Sequence, residues 1–194
     1  MGWSLSWAAL KDGNLQTACA ALGLRPTGKR EETAESKIVG AQLPTGWYVI
    51  QFNRSELKDR VLARLSRSGE TVCCFVEDHV MVSWASGWRE GKKIWSVVHD
   101  CEKGLFHLDV KGEAPAEVKG IAERLIAEQH ADGGEKADVD HVYDVPADLA
   151  KELTGYRHDH DMPGLTGEVF EVLDRESVFG KLFGRFGRRN TSAA

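Results

Sequence analysis

Four apolar segments between residues 71 and 108 are separated by short polar breaks, and this spacing constrains the fold more than any other feature of the sequence. The breaks fall at 77–79, 89–92 and 101–104. Breaks this short connect antiparallel strands, because a parallel crossover needs about a dozen residues or more. The block therefore predicts an antiparallel meander over about 71–110. Residues 72–76 are all apolar, so we expect a central strand that is covered on both sides.

The remaining sequence places helices and further strands around this block. Trp3, Leu5 and Trp7 alternate with serines, and residues 47–52 are largely aromatic or β-branched, so both stretches predict strands. Helical spacing predicts helices over 15–22, 54–66, from Pro115 onward, and over 146–153. Asn53 and Glu56 stand three apart, as a capping box requires, ahead of the second of these helices. Residues 25–37 have no periodicity and are interpreted as a surface loop. The predicted class is α+β, with an antiparallel sheet and the helices packed on one face, because residues 106–110 alternate as in a strand with one solvated side.

The chain is divided by composition into three parts. Residues 1–157 are predicted to form a single domain, 158–178 a linker with an edge strand over 168–173, and 179–194 a basic amphipathic tail. Apolar side chains recur in the tail at helical spacing, at Phe179, Leu182, Phe183 and Phe186. Its cations are Lys181, Arg185, Arg188 and Arg189. Three glycines oppose helix formation, so we expect the tail to become ordered only against its own body, another copy, a partner or an anionic membrane.

The charge distribution is uneven. The chain has a formal net charge of −5, and the tail contributes four positive charges and no acidic residue, so residues 1–178 carry −9. An acidic body argues against nucleic-acid binding, which needs a dense basic surface. We therefore expect a basic protein partner or self-association. The sequence has no signal-peptide pattern and no long apolar span, so we expect a cytoplasmic protein whose four cysteines are reduced.

Candidate chemistry is sparse. His158, Asp159, His160 and Asp161 alternate imidazole and carboxylate groups, which are ligands that zinc or nickel accepts. A solvated linker is the competing interpretation, and we expect no stoichiometric transition metal. Cys101 and His99 lie two apart on one predicted strand, which suits a buried structural cysteine better than a nucleophile and base. Motifs of the P-loop, dinucleotide-binding and serine-hydrolase kinds are absent, so no cofactor is predicted.

Aromatic residues suggest an interaction surface. Trp84 and Trp88 share a face of one predicted strand with Val80 and Val82, and one sheet does not easily cover that much aromatic area on both sides. We expect one or both tryptophans to be exposed as an anchor for a partner. Together with the tail residues Phe179, Lys181, Phe183, Arg185 and Phe186, they are the candidate interaction residues.

The opening 2–7, the stretch 76–80 and the stretch 95–100 resemble a group of uncharacterised bacterial proteins that share these features over most of their length. The resemblance implies a bacterial cytosolic protein and carries no catalytic residue. From the residues themselves we predict a non-enzymatic protein–protein interaction module, immunity-like or regulatory. The alternative is a small hydrolase or metal-dependent enzyme that uses the meander histidines His79, His99 and His107.

Overall fold

The computed structural model describes residues 2–176 of the chain. Within this range the strands are β1 (Ser4–Lys11), β2 (Leu24–Glu31), β3 (Ile38–Gln42), β4 (Trp47–Asn53), β5 (Thr71–Glu77), β6 (Val82–Arg89), β7 (Lys92–Asp100), β8 (Asp109–Gly112) and β9 (Phe170–Arg175). The α-helices are α1 (Leu15–Leu22), α2 (Asp59–Leu65), α3 (Glu117–Ala131) and α4 (Val145–Thr154). No helix in this part of the chain is long and apolar enough to cross a membrane.

The nine strands form one sheet in the order β2-β9-β3-β4-β1-β5-β6-β7-β8, and every paired neighbour is antiparallel. The consecutive neighbours β5, β6, β7 and β8 are the meander expected over 71–110. The α+β class and the antiparallel sheet are therefore confirmed. The helices predicted over 15–22 and 146–153 appear as α1 and α4, each ending at a glycine with a left-handed backbone, Gly23 and Gly155.

The helices cover both faces of the sheet, so the prediction that they pack on one face was wrong. One buried cluster joins Trp7, Val72 and Cys74 to residues of α3 and α4. A second cluster, on the opposite face, joins Ala8 and Cys73 to residues of α1 and α2. The central strands are apolar at successive positions, whose side chains point to opposite faces, and both sets need cover. The apolar run 72–76 already carried this signal.

Two segments have strands where the sequence suggested otherwise. The predicted loop over 25–37 contains β2, an edge strand whose residues are mostly exposed. It pairs with β9 through the backbone, and because neither face is buried it lacks the alternation that reveals strands in a sequence. The strand expected at the edge over 168–173 is β9, which lies between β2 and β3 with Phe170 and Leu173 buried. Backbone pairing with segments more than 130 residues away placed it there.

The second helix is shorter than the predicted 54–66. It begins only at Asp59, and the expected capping residue Asn53 ends β4 instead. The Asn53 side-chain amide donates to the carbonyl oxygens of Ala34 and Ser36, at 2.7 Å each. Residues 55–58 have no regular secondary structure, and the Leu57 amide donates to the Ser6 hydroxyl at 2.9 Å. The short α2 leaves part of this face uncovered.

Candidate functional site

The first candidate site is an open face of the meander, which we define by the cross-strand row Phe75, Trp84 and Val98. These residues lie directly opposite one another on β5, β6 and β7, and all three are partly exposed. The Phe75 and Trp84 rings stack with centroids 5.7 Å apart and planes 30° apart. Of the two helices on this face, α2 packs against β5 and β6 and leaves this apolar row partly exposed.

A groove adjoins the open face. It has a volume of about 630 Å³ and is lined by Glu56, Leu57, Lys58, Asp59, Arg60, Trp84, Ser86, Lys93 and Ser96. Its wall carries both signs of charge, and Lys93 and Asp59 form an ion pair of 3.1 Å. Trp84 therefore belongs both to the apolar row and to the lining of the charged groove. This setting suits a binding anchor with a polar rim.

The two candidate tryptophans have different environments. Trp88 is 4% exposed, and its indole nitrogen donates to the Ser86 hydroxyl at 2.9 Å. It belongs to the buried cluster with α1 and α2, whereas Trp84 lies at the margin of that cluster. Only Trp84 of this pair is accessible to a partner. The remaining candidates, Phe179, Lys181, Phe183, Arg185 and Phe186, lie outside the described residues.

A second candidate site, which we call the Arg157 cleft, lies on the opposite face where β1 begins and β5 ends. It has a volume of about 330 Å³ and is lined by Trp3, Val76, Asp78, Met81, Tyr143, Asp144, Arg157, His158 and Asp159. The Tyr143 hydroxyl and the Trp3 backbone amide donate to the two carboxylate oxygens of Asp78, at 2.7 Å each. Burial and this hydrogen bond raise the pKa of Tyr143, so the phenol stays protonated.

Arg157 lies at the centre of a ring of carboxylates. Its guanidinium, 8% exposed, donates to Asp144 at 2.8 Å, to Asp148 at 2.5 Å and to Asp159 at 2.8 Å. Asp148 also accepts from Arg124 at 2.7 Å. Burial raises the pKa of Asp144 despite the nearby guanidinium. Among the residues that line the cleft, the three carboxylates of Asp78, Asp144 and Asp159 face the guanidinium of Arg157, which leaves an excess of negative charge.

His158 contributes an unused polar atom to this cleft. Its side chain is 4% exposed, and Nδ1 is buried with no hydrogen-bond partner among residues 2–176. The ring meets Trp3 edge-on, with centroids 5.3 Å apart. Burial lowers the pKa of His158 from 6.5 to about 4, so the imidazole is neutral near pH 7. A buried polar atom without a partner is costly and calls for an explanation.

The four predicted metal-ligating residues do not converge. Asp159 pairs with Arg157, and His160 Nδ1 lies 2.6 Å from the Lys151 ammonium nitrogen. Asp161 is exposed, whereas His158 is directed into the Arg157 cleft. Within residues 2–176, no group of three or more His, Cys, Asp or Glu side chains is arranged to hold a metal ion.

Two of the meander histidines are neighbours, because the ring centroids of His99 and His107 lie 6.3 Å apart. His79 is exposed and contacts Glu77 at 2.8 Å. His99 is fully buried, with Nδ1 2.8 Å from the His107 carbonyl oxygen and Nε2 2.9 Å from an Asp140 carboxylate oxygen. The Cys101 thiol contacts the Val80 carbonyl at 3.4 Å, and burial raises the pKa of this thiol. The contact with the Val80 carbonyl and the raised pKa do not give Cys101 the activated thiolate that a catalytic cysteine needs.

The Arg157 cleft was missed by sequence reasoning. Asp78 was interpreted as part of a hairpin break, and Tyr143 was not singled out. The two residues are 65 positions apart in the sequence, yet the Tyr143 hydroxyl lies 2.7 Å from an Asp78 carboxylate oxygen. The one sign of the cleft in the sequence was Arg157, which lies directly before the His–Asp segment 158–161. No family model, curated protein or solved structure matches the chain.

Proposed function

We propose that the protein is a non-enzymatic interaction module, immunity-like or regulatory, that binds a basic protein through its open face. The observation that carries this proposal is the partly exposed row Phe75, Trp84 and Val98 beside a charged groove. Aromatic side chains on a rigid sheet lose little conformational entropy when a partner covers them, which makes them efficient anchors.

The choice of a basic partner is supported by charge. The body carries −9, and a field of this sign accelerates encounters with positively charged surfaces and disfavours acidic ones. A carboxylate also borders the apolar row, since Asp109 lies opposite Val98 on β8, where it pairs with Lys111. We therefore expect a partner that presents apolar side chains surrounded by lysine or arginine.

A matched pair of substitutions tests the proposal. Val98 and Val110 lie one register step apart on neighbouring strands, so their side chains point to opposite faces of the same corner of the sheet. Val98→Arg places a cation in the open face, whereas Val110→Arg places the same cation on the other side, where Val110 is 43% exposed. Both variants change the net charge equally.

Tagged wild-type protein and both variants are used to capture partners from extracts of the native host, and the captured protein is identified by mass spectrometry. The captured protein is then purified and titrated calorimetrically against each variant. We expect stoichiometric binding by the wild type and by Val110→Arg, a loss of about tenfold or more in Val98→Arg, and weaker binding at high salt. Equal binding by Val98→Arg and Val110→Arg would exclude the open face as the interface.

A further inference from the structure

The Arg157 cleft combines three features that one ligand chemistry explains. It has an excess of carboxylates, a buried imidazole nitrogen without a partner, and the half-exposed Trp3 ring at its entrance. We propose that the Arg157 cleft binds a guanidinium group, and that its occupant is an arginine of the basic C-terminal segment of the same chain, residues 177–194. This proposal concerns a different face from the one assigned to the partner.

The chemistry of the cleft selects an organic cation. Carboxylates accept the hydrogen bonds of a guanidinium group in pairs, and a neutral imidazole accepts a further one. Trp3 is 46% exposed, so its indole can lie against a planar cation. A volume of about 330 Å³ accommodates one arginine side chain. An anionic ligand is disfavoured because Asp78, Asp144 and Asp159 all line the cavity.

The topology places the start of the C-terminal segment at the same end of the sheet as this cleft. One line of register crosses the sheet from β9 to β5 through Val172, Val39, Gln51, Trp7 and Cys74. Strands β9 and β5 run in the same direction across this line. Arg175 and Asp78, which follow it on their strands, therefore lie at the same end of the sheet. Four strand spacings separate β9 from β5, which corresponds to roughly 19 Å.

The segment also has the required reach and charge. Nine residues lead from Glu176 to Arg185, and an extended chain of that length spans roughly 30 Å. Residues 177–194 contain Lys181, Arg185, Arg188 and Arg189 and no acidic residue. An intramolecular cation is present at a high effective concentration, so even a modest site is occupied by it.

The test uses the full chain with two variants of equal charge. The tail variant carries Lys181→Gln, Arg185→Gln, Arg188→Gln and Arg189→Gln. The control variant carries Lys29→Gln, Lys37→Gln, Lys92→Gln and Lys136→Gln, four exposed lysines elsewhere on the body. Nuclear magnetic resonance follows the His158 ring nitrogens and the Trp3 backbone amide. We expect both signals to shift in the tail variant and to stay in place in the control variant.

Arginine amide is then titrated as a free guanidinium probe. In the tail variant it should return the His158 and Trp3 signals toward their wild-type positions, and adding Asp144→Asn should weaken this binding. In the wild type the probe must compete with the tail, so half-saturation of the cleft should need about tenfold more arginine amide than in the tail variant.

Three results would overturn the proposal. If the tail substitutions leave His158 and Trp3 unmoved, the tail does not occupy the cleft. If the wild-type signals depend on protein concentration, the occupant is the tail of a second copy. If arginine amide leaves the tail variant unchanged, the cleft does not recognise guanidinium groups.

Discussion

Around Trp84 and Val98, the two faces of strands β6 and β7 differ in exposure. Trp95, Val97 and His99 point to the face covered by α3 and α4 and are all buried. Trp84 and Val98 point to the other face and are partly exposed. The seven-residue α2 packs against β5 and β6 but covers only part of this face, so Phe75, Trp84 and Val98 stay partly exposed. Exposure of apolar groups here therefore reflects missing cover rather than a different kind of strand.

His99 and His158, whose side chains are both buried, differ in their hydrogen bonding. His99 has an acceptor at each ring nitrogen, the His107 carbonyl and the Asp140 carboxylate. His158 is nearly as buried, yet its Nδ1 has no partner in the described part of the chain. A histidine with both ring nitrogens paired stabilises the fold, whereas an unpaired ring nitrogen on a cavity wall is open to a hydrogen bond from a ligand. The following predictions test this division between closed and open regions.

The largest effect is expected at the closed face. His99→Leu leaves the Asp140 carboxylate, 5% exposed, without its imidazole partner. Removing one member of a buried ionisable pair costs about 3–5 kcal/mol, so urea denaturation should show a loss of this order. The double variant His99→Leu with Asp140→Leu should recover part of it, because no unpaired carboxylate remains. A loss below about 1 kcal/mol in His99→Leu would show that water replaces the imidazole.

The next effect concerns pH and His158. Its folded-state pKa of about 4 lies below the ordinary value of 6.5, so between these values the unfolded chain binds more protons. The contribution of neutral His158 to stability is therefore complete above about pH 6.5 and is lost as pH falls toward 4, by about 3 kcal/mol at most. The free energy of unfolding of wild type minus that of His158→Phe, measured from pH 7 to 4.5, should fall accordingly. A pH-independent difference would show that His158 is not buried in its neutral form.

The smallest effect separates the two faces directly. Val97 and Val98 are adjacent on β7, but Val97 is 0% exposed whereas Val98 is partly exposed. Val97→Ala should cost about 1–3 kcal/mol, and Val98→Ala less than about 1 kcal/mol, because burial sets the loss of transfer free energy. Chemical denaturation of both variants measures the two losses in the free energy of unfolding. Equal losses would mean that the open face is covered in solution.

Much of the fold was readable from local patterns. The meander, α1, β4 and α4 follow from turn residues and side-chain periodicity, which act within a few residues along the chain. The polar edge strand β2 and the insertion of β9 were not readable, because backbone pairing between distant segments leaves little trace in the side chains. The capping box at Asn53 was wrong for a related reason, since distant carbonyl groups took its side-chain amide.

The sequence by itself determined an α+β protein with an antiparallel meander, an acidic body and a basic tail, because composition and short-range periodicity are properties of the chain alone. Only the tertiary structure decided which tryptophan is exposed. It also decided which side chains meet at the Arg157 cleft, where residues from β1, β5 and the segment after α4 converge. Burial and long-range pairing depend on how distant elements pack, and the same residue types occur at the open face and in the core. For that reason the sites, unlike the strands that carry them, required the folded molecule.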